Sequence, residues 1–169
     1  MIKECGIYYT SNDFYNVIRT LGGDCGNPGR RPVVCLVKSA EHLDLYWAIP
    51  MGIVGHRNQT ALDRINTFLA LTDDDIRSCY YHIGRTTNRS IFFISDAFPI
   101  IEKYIEEEHL DINKNHYIIK NKPLIAELER KLFRILTYEN AKPNHFRQHI
   151  TDIKKYLIDE IVPPTAIKK

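Results

Sequence analysis

The chain has 169 residues, of which 44% are hydrophobic. This length supports one core of ordinary size but not two full domains, so we predict a single domain over residues 1–169. The 23 Lys and Arg residues nearly balance the 21 Asp and Glu residues, and the net charge is +2. The protein is therefore not globally basic, and any nucleic-acid site has to be a local patch.

The cysteines and the start of the chain indicate a reducing compartment. The four cysteines form no CxxC pair and have no His at metal-ligand spacing. Cys35 and Cys79 lie in apolar runs, where free thiols act as small core residues. Met1 is followed by the charged Lys3 and Glu4, and no apolar stretch has the length of a membrane span. We expect a cytoplasmic protein with no membrane partner.

The first half of the chain is rich in predicted strands. Apolar and β-branched runs predict strands over residues 2–10, 32–37, 45–50, 78–84 and 91–95. A first helix begins after Ser11 or Asn12 and ends at Gly22-Gly23, and a second begins after Asn58 or Thr60. Residues 24–31 have the composition of a loop. The short connection between the second and third strands favours an antiparallel pair.

The second half has a helical pattern. Residues 100–110 predict a helix with an acidic end, and Asn121 followed by Pro123 predicts the start of another. A last helix is predicted from Pro143 and Asn144 to the stop at Pro163-Pro164. This order predicts an α+β fold, in which a small curved sheet or barrel is covered by helices.

Local charge identifies one basic segment. Residues 112–134 hold six basic and two acidic side chains, whereas residues 1–100 hold ten of each. We predict that Lys114, Lys120 and Lys122 in this segment bind RNA. The alternative is a solvated helix face without a partner.

The motifs that are missing narrow the possible chemistry. The sequence contains no phosphate-binding loop, dinucleotide fingerprint, HExxH or GxSxG motif. The run Asp73-Asp74-Asp75 is more typical of a cap than of a magnesium site. We therefore expect no metal and no cofactor. His, Arg and Tyr side chains suffice to cleave RNA through its 2′-hydroxyl, which needs a base, an acid and cations for the phosphorane.

Suitable side chains occur at three places, each next to a predicted strand. We expect catalytic residues among them, and the three places are Arg30-Arg31, His56-Arg57, and His82 with Arg85 and Arg89. If the strands are neighbours, these places gather on one side of the sheet. Exposed tyrosines, among them Tyr8 and Tyr9, are candidates for stacking on RNA bases.

Each place also has a simpler interpretation. His56 between glycines is also explained as an exposed loop residue, and His82 as a half-buried, hydrogen-bonded histidine. Arg30 and Arg31 are also explained as part of a solvated loop. The other histidines, including His109, are interpreted as surface or cap residues.

Two resemblances bear on the fold and function. Residues 29–36, GRRPVVCL, resemble the opening of the MazF and Kid family of toxins, in which a basic loop precedes a hydrophobic strand. The wider pattern is an N-terminal YYTS before a helix, then PVVCLV, LYWAIPMG with His56-Arg57, YYHIGR, SIFFISDAFPI and two C-terminal helices. This pattern is similar to the protein toxins of type III toxin–antitoxin systems, and most similar to the CptN branch.

The resemblance implies a MazF-like, SH3-like barrel elaborated with extra helices. It implies a sequence-selective endoribonuclease of phage defence that leaves 2′,3′-cyclic phosphates on cellular mRNA. Its inhibitor would be a small structured antitoxin RNA, a pseudoknot that the toxin cuts from a repeated precursor. Toxin and RNA would then assemble into a closed alternating ring.

One departure from the relatives affects the site. ToxN-like relatives have Thr-Ser-Pro-Lys after the second strand of the hairpin, where this chain has Met51-Gly52-Ile53. The Lys before that hairpin matches Arg31 or Arg30 here, and the very high pKa of Arg makes it a poor base. We therefore expect His56 and His82 to transfer protons, and Arg31 and Arg57 to stabilise charge on the phosphate.

Two rival functions remain open. The first is an RNA-binding module without catalysis. The clustering of His with Arg argues against this function, because binding alone needs no group that titrates near pH 7. The second is an enzyme for a small phosphorylated metabolite, which the lack of a glycine-rich loop opening a helix disfavours.

Overall fold

A computed structural model describes residues 1–26 and 30–162, which form seven strands and four helices. The strands are β1 (Gly6–Thr10), β2 (Pro32–Lys38), β3 (Tyr46–Ile53), β4 (Tyr81–Arg85), β5 (Arg89–Phe93), β6 (Phe98–Ile100) and β7 (Ile105–Glu108). The helices are α1 (Asn12–Thr20), α2 (Gln59–Leu69), α3 (Lys122–Ala141) and α4 (Ile150–Ile161). Part of the predicted loop, residues 27–29, and the predicted stop at residues 163–164 lie outside the described residues.

The strands form one antiparallel sheet in the order β4-β5-β3-β2-β1-β7. Along one edge β3 pairs with β2, and along the other it pairs first with β6 and then, from Met51 to Ile53, with β5. The predicted α+β class and the antiparallel β2–β3 pair are confirmed. Across residues 1–26 and 30–162 no ladder joins β4 to β7, so a closed barrel is not observed there.

The sheet is buried on both faces. Alternate residues of β2 face opposite sides, with Val34 packing in the core that contains α3 and Val33 in the core that contains α1 and α4. Cys35 and Cys79 are fully buried free thiols, as their apolar surroundings predict. With both faces covered, polar side chains can meet a ligand where the strands end.

The predicted helix over residues 100–110 is wrong. Phe98–Ile100 forms β6, and Ile105–Glu108 forms β7, which pairs antiparallel with β1. Glutamate is a strong helix former, so local propensity favours a helix here. The backbone of β1 offers hydrogen-bonding partners that outweigh this preference. The exposed Glu106, Glu107 and Glu108 instead charge an edge strand, and such charge discourages edge-to-edge aggregation.

The other helices largely agree with the sequence. The Asn58 side chain accepts a hydrogen bond from the Ala61 amide at 2.8 Å, and Asn121 caps α3 in the same way. The last helix begins at Ile150 rather than at Pro143 or Asn144. No helix among the described residues is long and apolar enough to cross a membrane.

Candidate active site

A cleft of about 470 Å³ opens at one end of the sheet. The antiparallel pairing brings the end of β1, the start of β2, the end of β3 and the turn between β4 and β5 to this end. The polar side chains that line the cleft are Tyr9, Arg30, Arg31, His56, Arg57, Thr86, Thr87, Asn88, Ser90, His109 and Tyr117. Two of the three predicted places therefore meet in one cavity.

Arg31 and Arg57 share one aromatic ring in this cleft. The guanidinium carbon of Arg31 lies 4.1 Å from the centre of the Phe93 ring, and that of Arg57 lies 5.0 Å from it. Neither arginine forms an ion pair with a carboxylate of the described chain. Two like charges held together in this way favour binding of an anion between or beside them.

Both cleft arginines are partly buried. Burial lowers the pKa of Arg31, the charge of Asp96 raises it, and the charge of Arg57 lowers it further. The Nε atoms of both Arg31 and Arg57 are buried and have no hydrogen-bond partner within the described ranges. Arg31 stays protonated because the pKa of arginine is so high. The charge of Asp96 offsets part of the burial cost of Arg31, although neither arginine has a carboxylate within ion-pair distance in the described chain.

Gly52 of β3 makes room for Arg57. A Cβ built on Gly52 would lie 2.2 Å from Nη2 of Arg57 and 3.3 Å from Cε2 of Phe93. Any side chain at this position would push the guanidinium away from the strand. The absence of a side chain at Gly52 thus allows the Arg57 guanidinium to lie against the backbone of β3.

His109, interpreted from the sequence as a surface or cap residue, is instead a half-buried residue of the cleft. Its Nδ1 lies 2.8 Å from the Tyr9 hydroxyl, and its backbone amide donates to the Ile7 carbonyl at 2.9 Å. Burial, and then the nearby His116, lowers the pKa of His109, so its neutral form is favoured at neutral pH. No local motif marks this residue, because its partner is 100 positions away in the chain.

Arg30 and His56 occupy exposed positions at the cleft. The guanidinium of Arg30 lies 4.5 Å from the centre of the Tyr9 ring and forms an ion pair with Glu107 of β7. His56 ends a short turn, Val54–His56, directly after β3. It is exposed, in agreement with the simpler interpretation, and it also lines the cleft.

His82 does not line the cleft. Its Nδ1 lies 3.1 Å from Nζ of Lys131 on α3, which also donates to the Tyr81 carbonyl at 2.9 Å. Burial, and then the charge of Lys131, lowers the pKa of His82 from 6.5 to about 4. The expectation that all three places lie together is therefore wrong for His82. The simpler interpretation, a half-buried and hydrogen-bonded histidine, agrees with the structure.

The residues predicted to bind RNA are distributed over several surfaces. Tyr8 is only 3% exposed, and its hydroxyl accepts a hydrogen bond from the Lys3 amide at 2.7 Å, so its ring packs in the core. Arg85 and Arg89 are exposed and face each other across the β4–β5 pair. The exposed side chains of the basic segment include Lys114, Lys120 and Lys122.

The acidic run has a structural role. The Asp75 side chain accepts from the Arg77 amide at 3.0 Å and forms an ion pair with the Arg77 guanidinium at 2.7 Å. It therefore caps a turn, as predicted. Within residues 1–26 and 30–162, no three His, Cys, Asp or Glu side chains converge as a metal site would require.

The cleft combines fixed positive charge with groups that can exchange protons. Arg31 and Arg57 can hold a phosphate, while His56, His109 and Tyr9 offer nitrogen and oxygen atoms for proton transfer. No family model and no curated protein matches this chain.

Proposed function

We propose that this chain is an endoribonuclease toxin of the type III class, which cleaves single-stranded RNA without a metal. The observation that carries the proposal is that Arg31 and Arg57 both lie within 5.0 Å of the centre of one ring, Phe93, without an ion-paired carboxylate in the described chain. Two neighbouring guanidinium groups are suited to bind the negatively charged oxygens of a phosphorane. Titratable histidines line the same cleft.

The proposed reaction is transesterification. The ribose 2′-oxygen attacks the adjacent phosphorus as a base takes its proton, and the P–O5′ bond breaks as an acid protonates the leaving oxygen. The products are a 2′,3′-cyclic phosphate and a free 5′-hydroxyl. His56 and the His109–Tyr9 pair supply the base and the acid, and the neutral form of His109 suits it to accept a proton.

The path of β3 supports a fold derived from an SH3-like barrel. Along one edge this strand leaves β6 and joins β5, so that a single strand belongs to two ladders. In some barrel-like folds the corners are made by strands that pass from one sheet to another. Arg30 and Arg31, directly before β2, line the cleft, and the MazF-like resemblance expects a basic loop at this point of the chain.

The RNA partners follow from the same proposal. The cleft holds the cleaved strand of mRNA or of the antitoxin precursor. The exposed Arg85, Arg89, Lys114, Lys120 and Lys122 contact the folded antitoxin RNA outside the cleft. A pseudoknot that bridges the cleft of one protein and the outer surface of the next would close the alternating ring.

The decisive experiment is incubation of purified protein with a long RNA in EDTA, followed by mapping of the new ends. We expect discrete cuts that end in cyclic phosphate, and we expect a 2′-deoxy substitution at a mapped site to abolish that cut. Intact RNA, or cleavage that persists at the deoxy position, would overturn the proposed chemistry.

A second candidate is an RNA-binding module without catalysis. The stacking of Arg30 over Tyr9, 4.5 Å from the ring centre, is a contact that binding alone would use. Binding that weakens steeply with salt, without any cleavage over hours, would favour this function.

A further inference from the structure

Arg31 borders a second, much smaller cavity besides the cleft. This cavity of about 10 Å³ has room for about one water, and its polar lining includes Arg31, Asp96, Asp24, Tyr15 and Gln148. Asp96 follows β5, and its side chain is only 20% exposed. A half-buried guanidinium and a half-buried carboxylate thus face the same small space, yet they form no ion pair within 4.0 Å in the described chain.

The carboxylate of Asp96 is held by another arginine. Nε of Arg147 donates to Oδ1 of Asp96 at 3.1 Å, and Nη2 donates to Oδ2 at 3.0 Å. This two-bond geometry engages both carboxylate oxygens at once. Arg147 lies between α3 and α4, far from the cleft in sequence.

The segment that carries Arg147 is itself fixed. The next residue, Gln148, donates from Nε2 to the Ser95 carbonyl at 2.8 Å and to the Ala97 carbonyl at 2.7 Å, on either side of Asp96. The carbonyl of Arg147 accepts from the Asp24 amide at 2.7 Å. The orientation of Arg147 toward Asp96 is therefore built into the backbone.

We infer that Arg147 is a positioning residue that keeps Asp96 from pairing with Arg31, and so leaves the Arg31 guanidinium available to the phosphate of the substrate. This inference rests on the proposed function of the cleft. Without Arg147, Asp96 would lose two hydrogen bonds beside Arg31, whose buried Nε has no partner. An Arg31–Asp96 pair would satisfy both groups and would lower the positive potential of the cleft.

The test compares Arg147→Met, Asp96→Asn and the double variant in the full chain. The probes are inorganic pyrophosphate, measured by calorimetry, and a short random-sequence 2′-O-methyl RNA, which lacks the attacking hydroxyl. We expect Arg147→Met to weaken binding of both probes on the order of tenfold. Asp96→Asn should bind them as well as the parent or better, and the double variant should match Asp96→Asn.

The two single variants separate positioning from simple bracing. Both break the Arg147–Asp96 pair, and Arg147→Met also removes the ion pair of Arg147 with Asp24 at 4.0 Å, so a structural brace would be weakened by both variants. Loss of binding in Asp96→Asn as well as in Arg147→Met, or failure of the double variant to recover, would overturn the inference. Thermal unfolding should show that the midpoint falls in both single variants, and at least as far in Arg147→Met as in Asp96→Asn.

The controls distinguish this inference from the proposed function itself. If the parent binds neither probe, or if Arg31→Met binds as the parent does, the cleft is not an anion site and both proposals fail. If the parent binds in an Arg31-dependent way but Arg147→Met is unchanged, the proposed function stands and only the role of Arg147 is overturned.

Discussion

Two clusters among the described residues combine histidine with basic side chains. They differ in whether the protein itself supplies hydrogen-bond partners for the charged groups. In the cleft, Arg31 and Arg57 contact Phe93, and their Nε atoms have no partner in the described chain. Beside α3, Lys131 gives one hydrogen bond to His82 and one to the Tyr81 carbonyl. The first cluster lies in a cleft and keeps hydrogen-bond donors without partners, whereas the protein itself supplies the partners of the second cluster.

The difference shows that residue types alone do not define an active site. Lys131 is 6% exposed, so neither it nor the nitrogen of His82 that it contacts can easily meet a phosphate. A charged group whose hydrogen bonds are already made to the backbone contributes to stability. A charged group that lacks such bonds is available to a ligand.

The largest expected effect is the loss of both cleft arginines. The variant Arg31→Met/Arg57→Met should lower RNA cleavage by about a thousandfold or more, because each guanidinium stabilises phosphorane charge. Arg64→Met is the matched control, since Arg64 also lies over an aromatic ring but on α2. The rates are measured on a mapped RNA site. A double variant that keeps a tenth of the parent rate would contradict the proposed site.

Substitution of the two cleft histidines, His56 and His109, should have the next largest effect. His56→Gln and His109→Gln should each slow cleavage about a hundredfold, because glutamine can hydrogen bond but cannot transfer a proton at neutral pH. His145→Gln serves as the control, since His145 is exposed and outside the cleft lining. Single-turnover rates separate the chemical step from binding. Parent-like rates in both variants would remove the two histidines from the mechanism.

A smaller effect is expected at Gly52. In Gly52→Ala the new methyl group displaces the end of the Arg57 side chain, which should slow cleavage about tenfold with little change in the unfolding midpoint. Gly55→Ala is a close control, because a Cβ at Gly55 meets nothing within 4 Å. Equal rates for the two variants would show that the position of Arg57 does not matter.

The smallest effect on activity is expected at His82. Substitution of this residue should instead change how stability depends on pH. Its pKa is lowered in the folded state, so between pH 6.5 and about pH 4 the unfolded chain binds more protons than the folded one. Stability from this group is therefore complete above pH 6.5 and is lost as the pH falls toward 4. His82→Gln should flatten this part of the urea stability profile and leave cleavage at pH 7 unchanged. A large loss of rate would return His82 to the list of catalytic residues.

The sequence predicts those elements whose signal lies within a few adjacent residues. The apolar runs of β2 and β3 and the Asn cap of α3 agree with the structure, and so do Arg31, His56 and Arg57 at the strand ends. These features are readable because each depends on a few adjacent residues.

The parts that the sequence does not predict depend on distant contacts. The β7 strand forms because β1 offers it a ladder, and His109 enters the cleft with it. The placement of His82 depends on where Lys131 of α3 packs, about fifty positions away. Local periodicity carries no information on either contact.

The order of the cleft residues along the chain has a consequence for protein synthesis. The cleft is lined from Ile7 to Tyr117, and β1 lies between β2 and β7, so the earliest strand is completed by one of the latest. A nascent chain that has emerged only as far as Arg57 carries both cleft arginines but lacks the wall that contains His109. The cleft is therefore completed only after the segment up to Tyr117 has left the ribosome, and translation itself delays its assembly.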